Sequence, residues 1–520
     1  MVLAISLLAG QNWGMQGKSD PDRQLLDAAA LCRGLVEGGT IYAFLADHRD
    51  ELFREEDFAD LFSSARGRPS IPAALVCSVM VLQALEGLSD RDAMRQLRTR
   101  IDWKVACGLA LDDEGFDFTV LTYWRTRLRR SERPQRIFDA IRTVVQATGV
   151  LKGKHRRALD SSILDDAVAT QDTVTQLISA IRKVRRAVPE AALVPLCTAS
   201  DEGGKPIIEW SDTAARNELI TGLVHDAEAV LAAAQASPSA ESAAEVIGLL
   251  GLIAGQDVEP GEEEGSWKIA RKVAKDRVIS TVDVEARHGH KSTAVRTDGF
   301  KAHLCSEPDT GIITAVKVTP ANVADGPVGV ELLEAEPEAL EVLADSAYGS
   351  GAVRAALKDK HHDLVIKPLP SRPSVPGGFV RDDFSVDHGV RSVTCPAGHV
   401  ARLSKGGTAK FSPHCAPCPL RGRCTKARAR SFSVSDHDAE LVAARQAWRD
   451  DELRATYRQH RPMAERSISW LVAKGNRRLR YRGVERNEAW AYRRVAALNL
   501  RRLVVLGLGR HGGTWVLNTA

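Results

Sequence analysis

The chain has 520 residues, of which 44% are hydrophobic and 27% charged, and a formal net charge of +4. At roughly 150 residues per domain that is about three domains, long enough to bury sizeable cores, and the balance excludes a disordered or fibrous chain. Nine cysteines, an odd number with four of them between 395 and 424, argue against a secreted disulfide framework.

The opening MVLAISLLAG is apolar, but it has no basic flank or small-residue cleavage site and is too short to span a bilayer. Residues 1–19 read as an N-terminal tail, with Met15 a more ordinary start, and a cytoplasmic protein without membrane attachment is expected. Residues 20–150 predict a helical domain. RPSIPAALVCSVMVLQALEG carries apolar residues at helical spacing, with Pro72 near its start, and Ser89 is placed to N-cap the next helix. TVLTYWRTRLRRSERPQRIFDAIRTVV adds a basic helix. Arginines on exposed faces of short helices suit a DNA-binding module, and an ordinary helical bundle has the same periodicity.

From 151 to 520 the order changes. HRRALDSSILDD (155–166) reads as a strand with Asp160 inside it. A helical insertion with linker-like stretches (LAAAQASPSAESAAE, GQDVEPGEEEGS) occupies 170–280. Strands resume at 298–305 and 311–320. The helix GPVGVELLEAE precedes a strand that ends at Asp345, and a helix over 351–359 precedes DLVIKPL. Three strands, a helix, a strand, a helix and a strand make an α/β order. Residues 370–435 form a second, β-rich insertion that holds the cysteine cluster, and 438–506 predicts helix.

Asp345 closes a core strand and opens the turn SAYGSG. A lone aspartate there is a cap or turn residue unless it has partners, because a carboxylate is costly to bury unpaired. Asp160 on the first strand and Glu465 in RPMAERSISWLV are the candidates, since catalytic groups of open α/β sheets gather at the carboxyl ends of strands. Ile468 and Val472, three and seven residues after Glu465, can turn that helix face inward. Three such carboxylates suit two Mg²⁺ (or Mn²⁺) ions about 4 Å apart, one activating the attacking oxygen and the other stabilising the leaving one. Asp165, Asp166, Glu485 and Glu488 compete on the same criteria.

Cys395, Cys415, Cys418 and Cys424, in TCPAGH and HCAPCPLRGRC, suggest a structural tetrahedral Zn²⁺ site in which His399 or His414 could replace one thiolate. Reduced thiols in a β-rich segment are the alternative. Between Arg454 and Arg510 there are 15 Lys and Arg against three acids, an excess of 12 positive charges, which points to a polyanion such as double-stranded DNA. In KGNRRLRYRGVER, Lys474, Arg477, Arg478, Arg480 and Arg482 are placed to meet phosphates and Tyr481 to stack. His288, His290, Lys291, Lys301 and His303 are a second polar cluster that could meet DNA.

Four stretches carry a resemblance. They are RPSIPAALVCSVMVLQALEGLSDRDAMRQLRTRIDWKVACGL; RALDSSILDDA; DVEARHGHKSTAVRTDGFKAHLC with GIITAVKVTPANVADG and VLADSAYGSG; and AERSISWLVAKGNRRLRYRGVERNEAWAYRRVAALNLRRL. The chain resembles the DDE transposases of bacterial insertion sequences, most closely the IS1182 group within the IS4/IS5-like set. The resemblance implies an RNase H-like catalytic core in which Asp160, Asp345 and Glu465 are the catalytic, metal-binding acids. It also implies Mg²⁺, binding of terminal inverted repeats by the N-terminal helices, phosphodiester cleavage, joining of the 3′-OH to target DNA, a homodimer on DNA and residence at the bacterial nucleoid. The related YREK pattern fits in part. Arg461 precedes Glu465 by four, but Arg458 holds the Tyr position beside Tyr457, and Val472 holds the Lys position with Lys474 two residues on. Phe300 stands where the family's GYK has Tyr. A metal-dependent nuclease of the same fold that never joins strands, and an inactive DNA-binding relic, remain the alternatives.

Overall fold

The computed structural model describes all residues except 1–15, 18–25, 63–68, 199, 201–203, 205, 273, 275, 291–295 and 519–520. Most of the expected tail, and Lys291 of the polar cluster, lie outside the described residues. The N-terminal helices are α1 (Ile41–Leu52), α2 (Ala73–Glu86), α3 (Asp90–Thr99), α4 (Ile101–Cys107), α5 (Thr119–Arg130) and α6 (Arg136–Ala147). The Ser89 hydroxyl accepts from the Asp92 amide at 3.1 Å, so α3 starts at the expected cap.

A mixed sheet follows, made of β1 (Arg156–Asp165), β2 (Arg287–His290), β3 (Arg296–Ser306), β4 (Ile313–Pro320), β5 (Glu341–Ala344) and β6 (Asp363–Ile366). β3 runs antiparallel between β1 and β4, while β5 runs parallel to both β1 and β6. The order across the sheet is β4–β3–β1–β5–β6, and β2 lies beside the first residues of β3. The parallel links use crossover helices, as they must: α10 (Asp325–Leu332) leads into β5 and α11 (Gly351–Asp359) joins β5 to β6.

Strand alternation divides the sheet's side chains between two layers. Leu159, Val342, Ala344 and Ile366 pack with Val328 and Leu332 of α10 and Val353 and Leu357 of α11. Ala158, Leu343 and Val365 point the other way and meet Ala464 of a later helix, α13 (Asp451–Val472). The small side chains Ala158 and Ala464 let that helix lie close to the strands.

The N-terminal helices do not stand apart. One continuous core joins Trp103, Trp124 and Leu82 to Phe300, Ala302 and Val316 of the sheet and to Val495, Leu498 and Leu500 of α14 (Val484–Val505). The C-terminal hairpin, Leu508–His511 with Thr514–Leu517, sets Trp515 against Phe44 of α1 with ring centroids 5.8 Å apart. The insertion after β1 differs: α7 (Thr173–Ala187), α8 (Thr213–Gln235) and α9 (Ala244–Gln256) bury Leu177, Ile181, Leu223, Val230 and Leu250 against one another in a core of their own. The second insertion has three-residue strands around a small core of its own and leads into α12 (Asp438–Ala447). Among the described residues no single helix is long and apolar enough to cross a membrane.

Candidate active site

The parallel ladder between β1 and β5 ends with Ala158 opposite Leu343. Two residues further on stand Asp160, still within β1, and Asp345, the first residue past the end of β5. Adjacent strands are about 4.8 Å apart, and the charge of Asp345 reaches the Asp160 carboxyl.

Each carboxylate is anchored through one oxygen. Oδ1 of Asp160 accepts from the Ser161 amide at 2.9 Å and faces the Arg461 guanidinium at 3.0 Å. Oδ1 of Asp345 accepts from the Ala347 amide at 2.8 Å and caps the turn Ser346–Tyr348. The aspartate that ends the core strand is thus a cap residue and a neighbour of Asp160 at once. The Oδ2 atoms take none of these bonds.

Asp160 is 15% exposed. Burial pushes its carboxyl above the usual range, Arg461 and the Ser161 amide pull it back, and the charge of Asp345 adds to the rise. Burial works against the Arg461 cation, but Asp160, Tyr457 and Asp345 outweigh it and hold the guanidinium above its ordinary value. Arg461 also donates to the Leu159 carbonyl at 2.7 Å.

Helix α13 begins with the Asp450 carboxylate capping the Glu452 amide at 2.9 Å, and it ends where Lys474 (φ 62°) and Gly475 turn left-handed. Tyr457, Arg461 and Glu465 are four residues apart, hence on one face. Burial raises the Tyr457 phenol, Arg461 lowers it, and the charges of Asp345 and Glu465 both reach it. Glu465 itself is exposed, one turn beyond Arg461. Tyr457, one residue before the family's Tyr position, is the residue beside Arg461, and Arg458 is exposed. The spacing 457/461/465 was the signal for it.

Behind β1, on the other face, Asp325 at the start of α10 accepts from Ser161 Oγ at 2.8 Å and pairs with Lys301 Nζ at 3.0 Å. Buried Tyr348 lies within reach of the charges of Asp325, Asp160 and Asp345. Asp325 had no signal of its own in the sequence, because one acid at a helix start reads as an ordinary first-turn residue.

Some expected DNA contacts are placed otherwise. Lys301 is 12% exposed, paired with Asp325 and bonded to the Val323 carbonyl at 2.8 Å, so it is not a surface cation. His303 is buried and bonded to Thr319, and His288 pairs with Asp298 at 2.6 Å. Arg461 is committed to Asp160. Arg477 is exposed but leans on β1, bonding Ser162 Oγ at 3.3 Å and the Ile163 carbonyl at 3.2 Å. Arg480 donates to the Gly87 carbonyl at 2.5 Å, and Tyr481 packs under the Arg125 guanidinium, 5.8 Å from the ring centre. A side chain at Gly87 (φ 68°) would put its Cβ 2.4 Å from the Lys474 carbonyl, so that close approach needs glycine. Lys474, Arg478 and Arg482 are exposed. The segment is fixed to β1, because the Asp165 amide donates to the Arg477 carbonyl and the Leu479 amide to the Asp165 carbonyl, both at 2.9 Å.

As the side chains stand, no group of three or more His, Cys, Asp or Glu among the described residues is closed around a metal position. Asp160 and Asp345 carry the donor type that a hard divalent ion takes. They are hard oxygen donors, half-buried, each with one oxygen anchored, and each within reach of the other's charge. The four cysteines of the second insertion line one cavity and are not drawn into a ligand set.

Residues 32–127 match the family described as Transposase domain (DUF772), and residues 271–500 match Transposase DDE domain. Together the two cover well over half of the chain. No curated protein and no solved structure matches.

Proposed function

We propose that this chain, which belongs to the DDE transposases of insertion-sequence type with an IS1182-like architecture, cuts phosphodiester bonds at the ends of its element and joins the freed 3′-OH to target DNA. The observation that carries this reading is the register of β1 and β5, which makes neighbours of Asp160 and Asp345 under the helix that bears Arg461 and Glu465. The strand order supports an RNase H-like core: with β2 set aside, the five strands run third, second, first, fourth, fifth across the sheet.

Asp160 and Asp345 would hold Mg²⁺ or Mn²⁺, with Glu465 completing the set from the rim. Ions bound there would activate the attacking oxygen and stabilise the leaving one. The chain's own residues do the rest. Arg461 holds Asp160 in one orientation and balances its charge. The turn after Asp345 fixes that carboxylate through a backbone amide. Arg478 and Arg482, on a segment hydrogen-bonded to the end of β1, would grip phosphates within reach of the acids. The N-terminal helices, packed into the same core, would hold the terminal repeat, and pairing two ends calls for a homodimer on DNA, acting at the nucleoid.

The test uses a supercoiled or linear substrate that carries the element ends. Asp345→Ala should lower Mg²⁺-dependent cleavage by at least about 10³-fold, the scale expected when a catalytic group is lost, with end binding nearly intact. Equal cleavage by this variant refutes the site. Joining of pre-cleaved ends by the native chain separates a transposase from a nuclease of the same fold, and binding without any cleavage points to a relic.

A further inference from the structure

The second insertion is held together by too little. Its core is six buried residues, Phe384, Val393, Ala409, Phe411, Cys415 and Phe432. Its strands, Ser385–Asp387, Ser392–Thr394, Val400–Arg402, Thr408–Lys410 and Ser431–Ser433, have three residues each. A unit of this size rarely stabilises itself by burial alone and needs a staple. Disulfides do not supply one, since all four of its cysteines are free.

Those cysteines converge from two stretches of chain. Cys395, Cys415, Cys418 and Cys424 line one cavity of about 20 Å³, together with His399 and His414. That is room for a single water-sized sphere. The turns that present the sulfurs are already formed. The Gly398 amide donates to the Cys395 carbonyl at 2.8 Å with Gly398 left-handed (φ 82°), and the Cys418 amide donates to the Cys415 carbonyl at 3.4 Å. The Arg430 amide donates to Cys415 Sγ at 3.4 Å.

The imidazoles are set differently. His399 and His414 are stacked, their centroids 4.5 Å apart and their planes 7° from parallel. A metal lies in the plane of an imidazole that ligates it, so two stacked rings cannot both serve one ion. We infer that Cys395, Cys415, Cys418 and Cys424 form a four-thiolate site for one tetrahedral, thiophilic divalent cation of the Zn²⁺ class, which staples this insertion. Binding releases the thiol protons to solvent and changes no oxidation state.

The staple bears on the rest of the chain. Arg381 of the insertion pairs with fully buried Asp438 of α12, and Asp382 pairs with Arg445 of the same helix at 2.6 Å. Helix α12 leads directly into α13. The inference is independent of the phosphoryl-transfer reading, because soft thiolates and hard carboxylates select different ions.

The experiment is metal analysis of the full-length protein after purification without chelator. One zinc per chain is expected, and Asp345→Ala should retain it. Replacement by Co²⁺ should give the visible and near-ultraviolet bands of tetrahedral Co²⁺ with four thiolates, and titration with a mercurial in the presence of a zinc-binding dye should release one equivalent. Cys418→Ser should bind zinc at least about tenfold more weakly, while Cys77→Ser, far from the cavity, keeps it. Folded protein with less than about a tenth of an equivalent after zinc loading overturns the site. So does undiminished zinc affinity in Cys418→Ser, and a spectrum with a nitrogen ligand overturns the four-thiolate assignment.

Discussion

Two helical regions of this chain answer to the same periodic pattern and do different things with it. Helices α1–α6 turn their apolar faces toward the sheet and α14, so Trp103, Phe300 and Val495 belong to one core. Helices α7–α9 turn theirs toward each other and close a separate core around Leu223 and Leu250. Hydrophobic spacing says that a helix has a buried face, but not against what it is buried. The first region is therefore part of the same body as the sheet, and the second is a satellite inserted between two of its strands.

The sharpest way to break that contrast is through Arg494. This buried guanidinium, on α14, donates to the carbonyls of Ala84 and Leu85 at the end of α2 and of Trp470, Leu471 and Ala473 at the end of α13. It caps two helices at once, satisfying carbonyls that no helical amide can reach. Arg494→Ala should cost about 3 kcal/mol or more, because buried acceptors lose their donor. The loss should appear as a single lowered thermal transition with cleavage activity lost alongside it. If α1–α6 melt separately and leave the rest folded, the shared core is wrong. In the satellite, Leu223→Ala should cost about 3 kcal/mol of local stability. Hydrogen exchange should rise across 173–256 alone, and DNA cleavage should persist. Exchange that spreads into β1 and β5 would make the two regions one.

Much of this division follows from residue pattern, and some of it could not. The strand and turn around Asp345 were legible because apolar residues, an acid and glycines follow one another within a few positions. The pairing of Asp160 with Asp345 was not, because register across 185 residues of chain leaves no local mark. Arg461 was legible from its spacing to Glu465. Its bond to Asp160 depends on how closely α13 approaches the sheet, where Ala158 and Ala464 meet. Lys301 looked like a surface cation and is paired with Asp325, a residue that no local pattern singles out. The hairpin at 508–517 was missed because Gly-rich, short, terminal segments carry little periodicity.

The basic segment after α13 sharpens the contrast from the catalytic side, since it touches both the end of α2 and the end of β1. Arg478→Ala with Arg482→Ala should weaken binding to any DNA and flatten the dependence of log affinity on log salt by about 2, one for each phosphate that is no longer neutralised. Binding isotherms across a salt series measure it, on element ends and on unrelated duplex alike. An unchanged slope would take both arginines out of the interface.

The smallest expected effect lies at the neck where the satellite leaves the sheet. Asp166, just after β1, and Asp283, just before β2, bracket the insertion. Burial and the charge of Asp283 raise the Asp166 carboxyl to about 6. Asp283 meanwhile accepts from the Gly483 amide at 2.9 Å, tying the neck to the basic segment. A carboxyl whose folded value lies above its ordinary 3.8 binds its proton more tightly in the folded state, so stability falls as pH rises from about 4 through about 6. Above that range the Asp166 carboxylate is ionised and faces the charge of Asp283. Asp166→Asn removes the repulsion and keeps an oxygen for the backbone amides of 167 and 168. It should stabilise the chain above pH 6 by about 1 kcal/mol, allowing for solvent at a partly open neck, and the difference from the native chain should vanish below about pH 4. Denaturant titrations at pH 4 and pH 8 decide it. A gain of equal size at both pH values would mean that packing at the neck, and not a shared proton, sets its stability.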